Sequence, residues 1–240
     1  MTMKKRLDVL LAEKKLVATR SQAESQIRLG KVKVNGVVAT KPGQLVNTDA
    51  TLAVAAGEQY VGRAALKLES ADEVFNIDWQ DKTVLDIGSS TGGFTQYALL
   101  RGAKKVIAVD VGTDQLHPSL RGNPKIDLHE KTDIRDFTTK EQVDILVADV
   151  SFISLRQILP HVHTLMNKQS RLIAMVKPQF EAGHSNIKHH GVIKNDRMRR
   201  DVLKDFELWA KQFFVIHDKA DSKVAGGKGN VERFYILSAI

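Results

Sequence analysis

The sequence contains no cysteine. That excludes a disulfide scaffold, a thiolate zinc site and a cysteine nucleophile, and it fits a reducing compartment. Aromatic residues are scarce, at 6% of the chain, and none precedes Tyr60. The first quarter of the chain therefore has no ring on which a nucleobase could stack. No segment approaches the ~18 consecutive apolar residues that a membrane helix needs. Behind the basic start Met1–Arg6, charges interrupt the apolar stretch Leu7–Glu13, so a secretory signal is not expected. These absences point to a soluble, cytoplasmic chain with no membrane contact. His189 and His190 are adjacent and cannot share one helical face, so no metal centre is expected.

What is present reads as globular. The chain has 240 residues, 42% hydrophobic and 27% charged, enough for one large domain or an ordinary domain plus a small one. The net charge is +8, and residues 1–60 hold most of the excess, with 10 basic against 5 acidic residues. Such a segment attracts polyanions. A boundary near Ala55–Glu58 divides the chain into residues 1–58 and 59–240. In the first part Leu7, Leu10 and Leu11 recur at helical spacing. Thr19 or Ser21 can cap a second helix, Ser21 and Glu24 having capping-box spacing, and Gly30 stops it. Lys31-Val32-Lys33-Val34 alternates, and Asn35-Gly36 suits a two-residue hairpin turn. Arg20, Arg28, Lys31 and Lys33 can form one basic face for phosphates.

The second part alternates. Apolar strand patterns lie at Thr83–Gly88, Lys105–Asp110, Val143–Asp149, Arg171–Lys177, Phe213–Ile216 and Arg233–Leu237, with a shorter one at Ile126–His129. Helix-sized gaps between such strands argue for a parallel sheet covered on both faces. Ligands of open α/β sheets bind at the carboxyl ends of strands, and Asp86, Asp110, Asp149 and Lys177 fall at or near those ends. The loop Gly88-Ser89-Ser90-Thr91-Gly92-Gly93-Phe94 spaces its glycines G-x-x-x-G, matching neither the dinucleotide fingerprint nor the P-loop. Asp110 lies 22 residues after Gly88, where an acid accepts from ribose hydroxyls. With no basic residue beside Asp110, a nucleoside without pyrophosphate fits better than NAD.

Two resemblances follow from these motifs. Arg20–Ala23, Ile27–Gly30 and Val32–Gly36 resemble the S4 RNA-binding domain, a small α+β fold, over roughly residues 4–57. Tyr60–Leu68, the Gly88 loop, Ala148–Leu155, Val176–Glu181 and Asn230–Arg233 resemble the class I (Rossmann-like) α/β methyltransferases that use S-adenosylmethionine, and among them the FtsJ-like 2′-O-ribose enzymes. The two domains in this order are similar to the TlyA (haemolysin A) family of rRNA methyltransferases. Gly62 departs from that pattern, which has Ser before Arg63. The resemblance implies a structured RNA partner, ribosomal RNA or a ribosomal subunit, recognised by shape and backbone.

The resemblance also implies roles. A Lys-Asp-Lys-Glu tetrad carries over to Lys67, Asp149, Lys177 and Glu232. A free lysine titrates near ~10.4 and is a poor base at neutral pH. Lys177 is therefore expected to orient a ribose hydroxyl and take its proton as the barrier is crossed. Asp149 would position Lys177 and balance the sulfonium, while Lys67 and Glu232 would fix the ribose and the lysine geometry. Asp86, Gly88, Ser89, Gly92, Gly93 and Phe94 would meet the methionine end of the cofactor, Asp110 and Val111 its ribose, and Asp133 its adenine amine. Arg63 would join the four S4 cations on RNA. Phe152 and Phe180 are pocket walls or core. Gly226–Asn230 touches RNA or merely turns, and Lys194, Arg197, Arg199 and Arg200 are a solvated face or a second RNA contact. Base N-methylation is disfavoured by Asp149-Val150-Ser151-Phe152, which lacks the Pro-Pro pair of those enzymes. A non-catalytic ribosome assembly factor and a haemolysin are the remaining alternatives.

Overall fold

The computed structural model describes residues 3–17, 19–28, 30–55, 60–183, 191–193, 195–224, 226 and 229–240. The expected boundary between residues 58 and 59, the side chain of Ser21, and His189, His190, Lys194, Gly227 and Lys228 lie outside these.

The N-terminal part contains β1 (Lys4–Arg6), α1 (Leu7–Glu13), α2 (Arg20–Arg28), β2 (Val32–Val34), β3 (Val37–Ala39), β4 (Leu45–Asn47) and β5 (Leu52–Val54). Thr19 Oγ1 accepts the Gln22 N–H at 3.1 Å and so caps α2. At the other end Gly30 takes φ +70°, and its N–H reaches Ile27 O at 3.0 Å. Asn35 and Gly36 turn the β2–β3 hairpin with φ of +50° and +83°, the signature of a type I′ turn. Leu7, Leu10, Leu11, Ile27 and Val32 meet in one small core. Lys33 faces water behind Val32, as the alternation predicts. β1 had no sequence signal, being Lys-Lys-Arg; it forms by pairing with β4.

The second part continues with α3 (Arg63–Phe75), β6 (Thr83–Ile87), α4 (Gly93–Leu100), β7 (Lys105–Val109), β8 (Ile126–His129), β9 (Ile145–Ala148), α5 (Leu159–Thr164), β10 (Arg171–Val176), α6 (Pro178–Glu181), α7 (Asp196–Ala210), β11 (Phe214–Asp221) and β12 (Arg233–Ala239). Seven strands form one sheet in the order β11-β12-β10-β9-β6-β7-β8. It is a Rossmann-like α/β sheet, parallel except for β12. That strand returns from β11 as a hairpin and runs antiparallel to both β11 and β10. Side chains alternate across the sheet. Leu85 and Ile87 join the core under α5 and α7, whereas Val84 joins the core under α3 and α4.

Lys31 and Glu69 link the two parts through an ion pair of 2.9 Å. Tyr60 OH donates to the same carboxylate at 3.2 Å, and Gln22 Nε2 donates to Tyr60 O at 3.3 Å.

Candidate active site

The sheet order reverses at β6. The chain moves outward to β7 and β8, then returns to lay β9 on the other side of β6. Crevices of open α/β sheets open at such a switch point, and Gly88 and Asp149 sit there side by side. Gly88 has φ +80°, and a Cβ on it would lie 2.8 Å from Asp149 O. Only glycine fits both the conformation and the approach.

One cavity of about 590 Å³ opens beside them, lined by all four tetrad residues together with Asp86, Gly88, Ser89, Phe94 and Arg63. The tetrad forms two ion pairs: Lys177 Nζ lies 2.5 Å from Asp149 Oδ1, and Lys67 Nζ lies 2.5 Å from Glu232 Oε2. Asp149 follows β9 and Lys177 follows β10, so the parallel register of these strands brings them together. Lys67 comes from α3, one turn after Arg63. Glu232 precedes β12 and is 2% exposed. A Cβ on Gly226 would stand 2.8 Å from Glu232 Oε1, so that glycine leaves room for the carboxylate. Lys177 also donates to Ser151 Oγ at 2.7 Å.

A second cavity of about 390 Å³ adjoins the first, sharing Gly88, Ser90, Asp149, Ser151 and Phe152. It is lined by Asp110, Val111 and Asp133, with Ile134 and Ile158 as apolar walls. Asp110 accepts the N–H groups of Ser90 at 2.8 Å and Gly112 at 2.6 Å, which fixes its carboxylate at the rim. Asp133 is held by Arg135 through both oxygens, at 2.9 and 2.5 Å. That guanidinium lowers the Asp133 pKa to about 2.

Asp86 behaves in the opposite way. It is fully buried, and Thr95 on α4 donates to its Oδ2 at 2.6 Å. Among the described residues its Oδ1 has no hydrogen-bond partner, and neither does Ser89 Oγ. Burial raises the Asp86 pKa to about 7, Asp149 and Asp110 push it the same way, and the Thr95 bonds oppose them.

The remaining expected residues lie elsewhere. Gly92, at φ +88°, begins α4, and a Cβ there would meet Leu120 and Leu116 at 2.5 and 2.6 Å. Gly93 packs α4 on α3, its Cβ position being 2.9 Å from Ala64 Cβ. On the S4 part Arg28 and Lys33 are exposed, whereas Arg20 is held by Asp8 at 2.8 Å and Lys31 by Glu69. At Gly62 a Cβ would lie 2.8 Å from Thr91 Oγ1, so Thr91 fills the space that a serine would need. Arg199 binds Asp221 at 2.6 Å and Val231 O at 3.0 Å, while Arg197 and Arg200 are exposed. Gly226 N–H closes a turn on Asn230 O at 2.8 Å.

Sequence reasoning assigned no role to Ser151, Thr95 or Gln179. Gln179 lines the first cavity with its Oε1 buried and, among the described residues, unpaired. Ser151 and Gln179 stand inside recognised motifs, two residues after Asp149 and Lys177. Phe152 is 93% exposed and Phe180 lies 5.5 Å from it, both on the cavity wall.

The chain is similar to known proteins over most of its length. Residues 60–239 match the FtsJ-like methyltransferase family, and residues 5–52 match the S4 domain. The chain is 44% identical to the 23S rRNA (cytidine-2′-O)-methyltransferase TlyA of Campylobacter jejuni, covering 81% of this chain and 77% of that protein. It is 36% identical to the 16S/23S rRNA (cytidine-2′-O)-methyltransferase TlyA of Mycobacterium tuberculosis, covering 99% and 91%. A solved structure of a protein designated a hemolysin, from Streptococcus thermophilus, superposes with TM-score 0.71 at 36% identity, covering 100% and 90%.

Proposed function

The chain belongs to the FtsJ-like methyltransferase family, and on that premise we propose that it methylates a ribose 2′-hydroxyl of ribosomal RNA, at a cytidine, using S-adenosylmethionine. The observation that carries the reading is the meeting of Lys177–Asp149 and Lys67–Glu232 in one cavity at the switch point.

The residues fit the cofactor. Asp86 Oδ1 and Ser89 Oγ are buried polar atoms without a partner among the described residues, and such atoms are costly unless a ligand completes them. Asp86, Gly88 and Ser89 would hold the methionine end, Asp110 the ribose, and Asp133 with the Ile134 and Ile158 walls the adenine. When bound, the cofactor supplies an electrophilic methyl group on a positively charged sulfur.

The chain's own groups then do the rest. An ammonium has three N–H bonds. Lys177 gives one to Ser151 and faces Asp149 as an ion pair, and another would meet the attacked hydroxyl. Asp149 keeps the ammonium in place, and as the hydroxyl oxygen attacks, Lys177 would pass one of its protons to the Asp149 carboxylate and take up the hydroxyl proton in its place, so that Asp149 is the final proton acceptor. Lys67, anchored by Glu232, would hold the neighbouring ribose oxygens. Arg63, one turn away on α3, would receive a phosphate. Orientation of this kind can lower a barrier by up to ~7–11 kcal/mol.

The alternatives leave these features idle. An assembly factor has no use for two buried ion pairs in a cavity. For a pore-forming role, no helix among the described residues is long and apolar enough to cross a membrane.

Mass mapping of ribosomal RNA tests the reading. RNA treated with the purified chain and the cofactor should gain a ribose 2′-O-methyl group that is absent with Lys177→Ala. A methyl group found on a base, or none on either subunit's RNA, would refute the proposal.

A further inference from the structure

Glu181 closes α6, four residues after Lys177, and is 1% exposed. Its Oε2 accepts from Ser154 Oγ at 2.6 Å, and its Oε1 accepts the Leu155 N–H at 2.8 Å. Arg156 Nε lies 3.6 Å from the same carboxylate, and that guanidinium is itself anchored to Asp205 of α7 at 2.7 Å. The carboxylate thus joins two loops leaving the parallel strands β9 and β10. One loop carries Asp149 and Ser151, and the other carries Lys177. They meet twice, at Lys177 and again at Glu181.

Between these two fastenings lies Phe152, with φ +66°. That conformation is strained for a ring-bearing residue. Strain of this sort persists only where the surroundings over-determine it. Phe152 is 93% exposed, so burial does not hold it. The bonds on either side, Ser151 to Lys177 and Ser154 to Glu181, restrain it together with the Phe180 ring 5.5 Å away.

We infer that Glu181 is a positioning residue: through Ser154 and Leu155 it fixes the Asp149–Ser151 loop, and thereby the direction of the N–H that Lys177 offers to the ribose. This rests on the reaction proposed above.

The test measures methyl transfer to ribosomal RNA and, separately, cofactor binding by calorimetry. Glu181→Ala should lower kcat by about 10- to 100-fold, the scale of a displacement near 1 Å, with cofactor Kd and RNA KM within about two-fold. Glu181→Gln should recover most of the rate, because its carboxamide oxygen still accepts the Leu155 N–H. Ser151→Ala should lose rate too. The double variant should lose less than the product of the singles, since both act through one ammonium. Should Glu181→Ala fail to fold, Ser154→Ala, which removes the bond to Glu181 and the one accepted from the Arg156 N–H but leaves the carboxylate itself in place, should show the same kcat loss with unchanged cofactor Kd. Unchanged kcat, cofactor binding that weakens in step with the rate, or multiplicative losses with Ser151→Ala would overturn the inference. Absence of ribose methylation by the unaltered chain would instead overturn the reaction on which it rests.

Discussion

Asp86 makes cofactor binding depend on pH in a direction that its burial dictates. Its carboxyl titrates near 7 because burial, Asp149 and Asp110 all disfavour the anion. A cationic cofactor favours the anion. Binding should therefore release a proton at pH 6, where about a tenth of the molecules carry Asp86 ionised, and little at pH 8, where about nine tenths do. If only the ionised form binds well, affinity rises about tenfold between those pH values. Calorimetry in buffers of different ionisation heat reads both the affinity and the proton. The cofactor's own α-amino group titrates at about 7.7–8 and adds a falling limb, so Asp86→Asn is the necessary comparison: it should keep that limb and lose the rise. Stability moves the opposite way. A folded pKa above the ordinary value of 3.8 means that the folded chain binds the extra proton, so this contribution is present at low pH and is lost as pH rises toward 7. Asp86→Asn should accordingly melt above the unaltered chain at pH 8, with the gap closing toward pH 5. Cofactor affinity that is flat from pH 6 to 8 in the unaltered chain would refute the reasoning.

Lys177→Ala should abolish methyl transfer while the cofactor Kd changes by less than about three-fold; measurable turnover would remove Lys177 from its role. Asp110→Ala should weaken cofactor binding by about tenfold or more, on the scale of a lost charge-assisted hydrogen bond, and an unchanged Kd would speak against the ribose contact. Gly88→Ala should lose cofactor binding and activity together, because the new Cβ meets Asp149 O at 2.8 Å on a backbone with φ +80°. Replacing Arg28 and Lys33 together by alanine should reduce the salt slope of RNA binding by about 1.5, the release expected for two phosphates; an unchanged slope would take those residues off the RNA.

Much of this site was readable before any coordinates. Acids and a lysine at the carboxyl ends of apolar strands marked one edge of a sheet, and strand direction alone places such residues together. Asn35-Gly36 announced its hairpin, because few other pairs adopt two successive positive φ values. What could not be read depends on pairing across the chain. β1 is three charged residues that extend only because β4 lies beside them. β12 shows the same apolar pattern whichever way it runs, so the pattern predicted its existence and not its reversal. Lys31 stood in an alternating basic strand, and nothing local indicated that Glu69, 38 residues away, would take its charge. Ser151 and Glu181 were visible as motif letters, but their bonds to Lys177 and Ser154 span 26 and 27 residues.

The charges of the cavity also bear on which ligand it selects. Lys177 with Asp149, and Lys67 with Glu232, are neutral pairs, so they leave no net charge for a cofactor to meet. Of the remaining carboxylates, Asp86 is disfavoured as an anion chiefly by its burial, with Asp149 and then Asp110 acting in the same direction, as its elevated pKa records. A wall of this kind is relieved by a cation and gains little from a neutral molecule of the same shape. The demethylated product has an uncharged sulfur in place of the sulfonium. It should leave Asp86 less strongly ionised than the methyl donor does, and so bind with a smaller proton release at pH 6. Discrimination between donor and product would then reside in a buried carboxyl that never touches the RNA. Asp86→Asn should narrow the difference in affinity between the two ligands, and an unaltered ratio would place the discrimination elsewhere.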